Sequence, residues 1–216
     1  MTTYSETART RLHRSPTRGS YDRAVVHAIL DEALVCHLAF VVDGQPYGLP
    51  TTHVRDDESL FVHGSAASRM MRSLAKGVPV CLTVTLVDGL VLARSAFRHS
   101  MNYRSVVVLG TAREVTDLRE KCHALSRLVD KLSPGRYERI RTPSDPELRA
   151  TSVLALPLEE VSAKIRTGPP LDDDADRARP GWAGVVPIGL RAATPVADGE
   201  AAEAFERPTP PRGVLG

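Results

Sequence analysis

Residues 63–69, His-Gly-Ser-Ala-Ala-Ser-Arg, gather an imidazole, two hydroxyls and a guanidinium where the apolar run "LFV" gives way to the amphipathic stretch "RMMRSL". Gly64 lets the chain turn without a Cβ clash. A helix beginning near Ser65 or Ser68 and running to about Lys76 would offer N–H groups without intrahelical partners at the positive end of its dipole. The two serine hydroxyls add donors, and the Arg69 fork suits two oxygens of one phosphate. The chemistry these residues could do is to cradle a phosphate monoester. The same spacing also serves a plain serine cap with Met70, Met71 and Leu74 packed below it, and both readings stand. His63, on the lip of the cradle, has a structural reading as a hydrogen-bonding residue. Its functional reading is to stack on a flat ring, donate to one, or ligate a metal.

Two further polar groups could complete a slot. "RHSMNYRSV" (98–106) brings Asn102, the only asparagine in the sequence, together with Tyr103 and Arg104, directly before an apolar strand. In "VPVCLTVTLV" the alternation sets Val80, Leu82, Val84 and Leu86 on one face and Cys81, Thr83 and Thr85 on the other. Pro50 interrupts a strand pattern, which marks an edge or bulge where backbone groups are free for a ligand. The three features suggest a phosphate at one end and a planar group along strand edges.

The elements that must hold these groups follow from pattern. Asp22 caps a helix through about Leu34, with Val25, Val26, Ile29, Leu30, Ala33 and Leu34 on one stripe. "LVCHLAFVV" and "QPYGLPTTHV" form a hairpin about Asp43-Gly44, and "SLFVH" follows the charged turn "RDDE". Asp88-Gly89 predicts a second hairpin, into "LVLARSAF", with the "SMNYRS" segment a loop before the next strand. Asp117 and Glu120 open a helix whose apolar face is Leu118, Cys122, Leu125, Val129 and Leu132, ended by Pro134-Gly135. Ser144, Pro146 and Glu147 open a short helical turn before the strand "TSVLALPL". Lys164 and Arg166 could reach the cleft but read first as a solvated strand end, and "WAGVVPIGLRA" reads as the last strand. Close hairpins and few βαβ units argue for an antiparallel barrel flanked by helices. The domain spans 21–194, between a basic extended arm (1–20) and a Pro-rich, disordered tail (195–216).

The chain has 216 residues, 42% of them hydrophobic, and a net charge of +2, which suits one soluble domain and makes no global case for nucleic acid. The arginines near the start, Arg9 to Arg23, read as a solvated arm without the aromatic residues that grip single strands. No helix-turn-helix pattern is present. Cys36, Cys81 and Cys122 lack metal-ligand spacing and read as buried thiols in a reducing compartment. The first residues lack an apolar signal core, and no run approaches the ~20 apolar residues of a membrane-spanning helix, so the expected location is the cytoplasm.

From "RGSYD" (18–22) to about Ala192 the sequence resembles the pyridoxamine 5′-phosphate oxidase-like split barrels, closest to the branch with nitroimidazole-resistance (Nim-type) proteins. The motifs that carry the resemblance are "RGSYD", "GLPTTHVRDDESLFVHGSAASRMMRSL", "VCLTVTLVDGLVLARSAFRHSMNYRSVVVLGTAREV" and "SVLALPLEEVSAKIRTGPP". It implies a mainly β, six-stranded Greek-key split barrel with peripheral helices, forming a homodimer with FMN in two clefts at the subunit interface. By the same resemblance Ser65, Ser68 and Arg69 hold the phosphate, while Pro50, Thr51 and Thr52 run along the ring system. Thr83 and Thr85 border the flavin, and Asn102, Tyr103 and Arg104 approach it from the partner subunit. His63 falls beside the flavin, as the candidate catalytic residue, where it would position or protonate a bound electron acceptor.

Two departures matter. Many relatives have a lysine after the phosphate arginine, where Met70 stands here. The C-terminal Trp-x-x-x-Arg-Leu-x-Pro signature of true pyridoxamine phosphate oxidases is missing, since "AGVVPIGL" follows Trp182, which argues against vitamin B6 synthesis as the main reading. The expected function is an FMN-dependent oxidoreductase passing electrons to a small organic acceptor such as a nitro-aromatic. Without a GxGxxG motif, NAD(P)H would bind only transiently as donor. The alternatives are a haem protein on the same scaffold, with His63 as axial ligand ahead of His99 or His53, and a non-catalytic flavin binder or sensor.

Overall fold

The computed structural model describes residues 2–199 and 209–215. In chain order the elements are β1 (Gly19–Ser20), α1 (Arg23–Glu32), β2 (Val35–Val42), β3 (Gln45–Asp56), β4 (Ser59–Ser65), α2 (Arg69–Ala75), β5 (Pro79–Leu92) and β6 (Ser100–Thr111). There follow β7 (Arg113–Glu114), α3 (Leu118–Leu132), α4 (Asp145–Ala150), β8 (Thr151–Pro157), β9 (Glu160–Arg166), α5 (Asp174–Arg177), β10 (Gly184–Pro187), β11 (Leu190–Arg191) and β12 (Val214–Leu215). Ten strands form one antiparallel sheet in the order β1-β9-β6-β5-β2-β3-β4-β8-β7, with β10 added alongside β5. This is the open sheet of a split barrel with helices on its flanks.

Local sequence accounts for most of the elements. Asp22 accepts the Val25 N–H at 3.1 Å to start α1, Asp117 accepts the Glu120 N–H at 2.8 Å to start α3, and Ser144 with Glu147 forms a capping box for α4. Asp43 and Gly44 take positive φ (51° and 76°) and join β2 to β3, as a type I′ hairpin requires. The alternation of β5 buries Val80, Leu82 and Val84 on one face.

That face, with Leu38 and Phe40 of β2 and Val106 and Val108 of β6, packs under α1 and α2 as the main core. Truncating a fully buried member such as Leu82 to alanine would cost ~2–5 kcal/mol. A second core lies on the opposite face, where Val54, Phe61 and Val153 meet Ala124 and Leu128 of α3. Because α3 covers only the β3–β4–β8 part of that outer face, the β2–β5 part is open, and Val35, Val41 and Val87 are exposed on it.

The structure departs from the sequence reading at five places. No hairpin forms at Asp88-Gly89: β5 runs straight through with a β-bulge between Val87 and Gly89, and the true turn lies at residues 93–99. Gly89 is needed for close approach, since a Cβ there would sit 2.9 Å from Val185 Cγ1 and 3.0 Å from Val186 O of β10. The "SMNYRS" segment is the start of β6, not a loop. The N-terminal arm is packed rather than free, because Tyr4 is buried in the main core and its hydroxyl donates to Glu58 at 2.9 Å. Arg166 is not a solvated strand end; it is 6% exposed and donates to Asn102 Oδ1. Within the tail read as disordered, residues 200–208 and 216 lie outside the described residues, and β12 pairs in parallel with β11. No helix among the described residues is long and apolar enough to cross a membrane.

Candidate functional site

On strands β3 and β4 the ladder stops at His53↔Val62, and the strands part beyond it. Alternation then puts Thr52 and His63 on the outer face, next to Val54 and Phe61, while His53 faces the main core. Both Thr52 and His63 line a cavity of about 320 Å³ roofed by α3 and the segment leading to α4. Its apolar wall is Leu125, Val129, Leu132, Tyr137 and Ile140. At its rim Arg141 makes two 2.8 Å hydrogen bonds to the Glu147 carboxylate. That arginine, with the Ser144 backbone and hydroxyl, holds the Glu147 carboxyl far below the usual carboxylate range.

His63 is the polar centre of this wall. Its Nδ1 is buried, and neither ring nitrogen has a hydrogen-bond partner among the described residues. A buried nitrogen without a partner costs ~1–3 kcal/mol, a cost that a partner supplied from outside the chain would relieve. Burial pushes the imidazole pKa down, which keeps the ring neutral near pH 7 and able to offer a lone pair.

The other two histidines named as haem ligands are differently placed. His53 is fully buried, and its Nε2 lies 3.0 Å from Leu30 O and 3.1 Å from Lys131 Nζ, so it is walled off from the cavity. His99 is exposed, with Nδ1 2.9 Å from Ser95 O.

The segment expected to cradle a phosphate is arranged differently from the sequence reading. Helix α2 has only seven residues, so its dipole contributes little, and Ser68 caps it without a side-chain hydrogen bond. The Ser65 hydroxyl accepts the Ala67 N–H at 3.2 Å. Arg69 is exposed, donates to the Tyr47 hydroxyl at 2.8 Å and stands 5.4 Å from the Tyr47 ring centroid, which fixes its guanidinium beside the cradle. Gly64 lets β4 close onto Met71, whose Cγ would lie 3.1 Å from an added Cβ.

Of the residues expected to border the ring system, Pro50 and Thr83 flank His37 in register, and together with Thr52 and Thr85 they share the outer face. Thr51 does not: it pairs with Cys36 and points to the core side. Asn102 is buried at the far end of β6, accepting from Arg166 and donating to Gly168 O at 3.2 Å. Arg104 is committed to Glu32 and Asp88, the latter at 2.7 Å, and these carboxylates raise its pKa. Both side chains are engaged within the fold. Tyr103 lies opposite Val87 and Arg166.

Sequence reasoning missed the helical wall of the cavity. It read Leu118, Cys122, Leu125, Val129 and Leu132 as one apolar face without a partner; in the structure Leu125, Val129 and Leu132 line the cavity, and Leu128 is shared between the cavity and the buried contact made with Ala124. The spacing of that face carried no signal for a cavity, because the same narrow stripe serves ordinary packing equally well.

The family model for pyridoxamine 5′-phosphate oxidase matches residues 22–165. The flavocytochrome Anf3 from Azotobacter vinelandii is 42% identical over 89% of each chain, with a TM-score of 0.84. An FAD- and haem-binding protein from Mycobacterium smegmatis is 36% identical over 88% of this chain and 94% of that one, with a TM-score of 0.83. A 5-nitroimidazole resistance protein homologue from Bacteroides thetaiotaomicron shares the fold at 23% identity, covering 68% of this chain and 86% of that one, with a TM-score of 0.56. Among curated proteins none matches significantly. With the model spanning well over half of the sequence and two relatives above 30% identity, the chain belongs to the pyridoxamine 5′-phosphate oxidase-like family.

Proposed function

We propose that this chain is a redox protein that holds a flavin and a haem. The observation that carries the reading is the 42% identity, over nine-tenths of both chains, to a protein described as a flavocytochrome. Two features of the chain fit such groups. The cavity beside His63 is largely apolar, and its one imidazole has an unpartnered buried nitrogen, which suits a large flat macrocycle with an axial ligand. The outer face at Pro50, Thr52 and Thr83 carries no acidic side chain, lysine or arginine in register, which suits a flavin ring.

When bound, a flavin would take a hydride from a nicotinamide donor and a haem would exchange single electrons. The chain's own contributions are specific. Leu125, Val129 and Leu132 exclude water from the cavity, and His63 supplies a neutral lone pair. Arg69, steadied by Tyr47, would bind phosphate oxygens, with the Ser65 and Ser68 hydroxyls as further donors. The exposed apolar residues Val35, Val41 and Val87 support a homodimer built on this face, with Tyr103 brought toward the partner's flavin. The final acceptor in this reading is a small organic molecule such as a nitro-aromatic.

The test is the absorption spectrum of the purified protein and of His63→Ala. The expected result is flavin bands together with a Soret band, and loss of the Soret band alone in the variant. A wild type without a Soret band, or a variant that keeps one unchanged, overturns the assignment of His63.

A further inference from the structure

We propose that Arg18 and Arg166 form a phosphate-binding site beside β9, and that it takes the diphosphate of a nicotinamide dinucleotide delivering electrons to the flavin. The donor assignment rests on the flavin reading above; the anion site itself does not. Arg166 closes β9, is 6% exposed and meets no carboxylate. Its terminal nitrogens donate to Asn102 Oδ1 and, at 3.4 Å, to the carbonyls of Gly168 and Pro169. Its Nε makes no hydrogen bond, and unlike the Nε atoms of Arg94 and Arg98 it is not sealed from water. Arg18, half-buried just before β1, has neither a side-chain hydrogen bond nor an ion pair among the described residues. Gly19 pairs with Lys164, so Arg18 and Arg166 come to the same end of the β1–β9 ladder. The two charges act on each other: burial first, and then Arg18, lower the Arg166 pKa, against an opposing effect of Tyr103.

A buried cation is ordinarily matched by a carboxylate, because an unmatched one keeps its full desolvation cost. Here the chain supplies none. Lys164 donates only to Arg14 O, at 3.1 Å, and so adds a third cation without an acidic partner. The acid of β9, Glu160, stands at the opposite end of the strand, where Thr7 and Arg9 hold it. One carboxylate from outside would offset a single charge. A diphosphate brings several negative charges and enough oxygens for two guanidinium forks. The surroundings fit the rest of such a molecule. Tyr103 pairs with Arg166 in register, and two residues on, ~7 Å along the strand, Ser105 pairs with Thr85. A diphosphate at Arg166 thus leaves its attached ribose and nicotinamide running past Tyr103 toward the face proposed for the flavin ring. The flavin's own phosphate has the Ser65–Arg69 segment at the end of β4, five places from β9 in the strand order. Free phosphate would satisfy the same cations, so the experiment must separate the sources.

Full-length holoprotein is titrated with inorganic pyrophosphate by calorimetry, and flavin reduction by NADPH and by NADH is followed by stopped-flow absorbance. The proteins are the wild type, Arg18→Gln and, as a charge control, Arg136→Gln, an exposed residue before α4. Pyrophosphate is expected to bind the wild type and to compete with the nucleotide. Arg18→Gln should weaken pyrophosphate and raise the KM for the donor about tenfold each, with its flavin retained, while Arg136→Gln changes neither. A wild type that binds no pyrophosphate, or a control that weakens it as much as Arg18→Gln does, overturns the anion site. Pyrophosphate binding without competition, or no reduction by either nucleotide, overturns the donor assignment and leaves a site for free phosphate. Loss of flavin from a folded Arg18→Gln also overturns it, because the site would then hold the flavin's tail. A wild type without flavin overturns the reading beneath, and the pyrophosphate titration still decides the anion site.

Discussion

His53 and His63 sit on neighbouring strands, and their surroundings separate them by one face of the sheet. His63 meets a cavity and has no partner; His53 meets Leu30 O and Lys131 and has no room. Burial first, and then the nearby Lys131 charge, lowers the His53 pKa from 6.5 to about 3. Folded His53 therefore stays neutral over a range where the unfolded chain takes up a proton. Its contribution to stability is complete above pH 6.5 and is lost as the pH falls from 6.5 toward about 3, at no more than ~1.4 kcal/mol per pH unit. Urea midpoints measured at neutral pH and near pH 5 should therefore separate more for the wild type than for His53→Gln. Lys131 acts in the same sense at higher pH: burial lowers its pKa from 10.5 to about 8, so stability rises as the pH climbs through that window. Asp31, Cys36 and Arg55 are the other ionisable groups that act on this pair. Sequence could nominate both histidines but not rank them, because what distinguishes them is a carbonyl from α1 and an ammonium from α3.

Among the elements, β5 shows where local pattern stops being informative. Asp88-Gly89 is the strongest short hairpin signal, and the same dipeptide serves a bulge equally well. Its role is settled by distant partners: Arg104 binds the Asp88 carboxylate, and Ile188 donates its N–H to Asp88 O at 3.1 Å. Across the bulge the buried positions change from even (Val80, Leu82, Val84) to odd (Val91, Ala93), a shift that the all-apolar "LVLA" does not display. Substituting Gly89→Val should push β10 off β5, at a cost of ~1–3 kcal/mol, and the check is a lower Tm with new proteolytic cleavage near Gly184. A retained Tm would mean that the β10 pairing contributes nothing to stability. By contrast α1, α3 and α4 were legible to within a residue or two, since their caps are written in adjacent side chains.

At the scale of the molecule, the antiparallel class and the flanking helices were readable from turns and periodicity, whereas the packed N-terminal arm was not. Tyr4 lies in a polar, arginine-rich stretch, and only its fit against His27 and Glu58 shows that it belongs to the core. The open outer face leads to a prediction about assembly. Val35→Asp/Val41→Asp should shift the protein toward monomer in sedimentation velocity runs and release flavin with it, whereas an unchanged dimer would place the interface elsewhere. The sheet order also bears on how the chain is made. β1 must wait for Ala163 and Lys164 before it gains a neighbour, and β9 is also what covers the far side of β6. During synthesis, then, the strands before β9 leave the ribosome with a long, valine-rich margin bare, a period in which chaperone occupancy should peak and any premature stop codon before Arg166 should yield inclusion bodies.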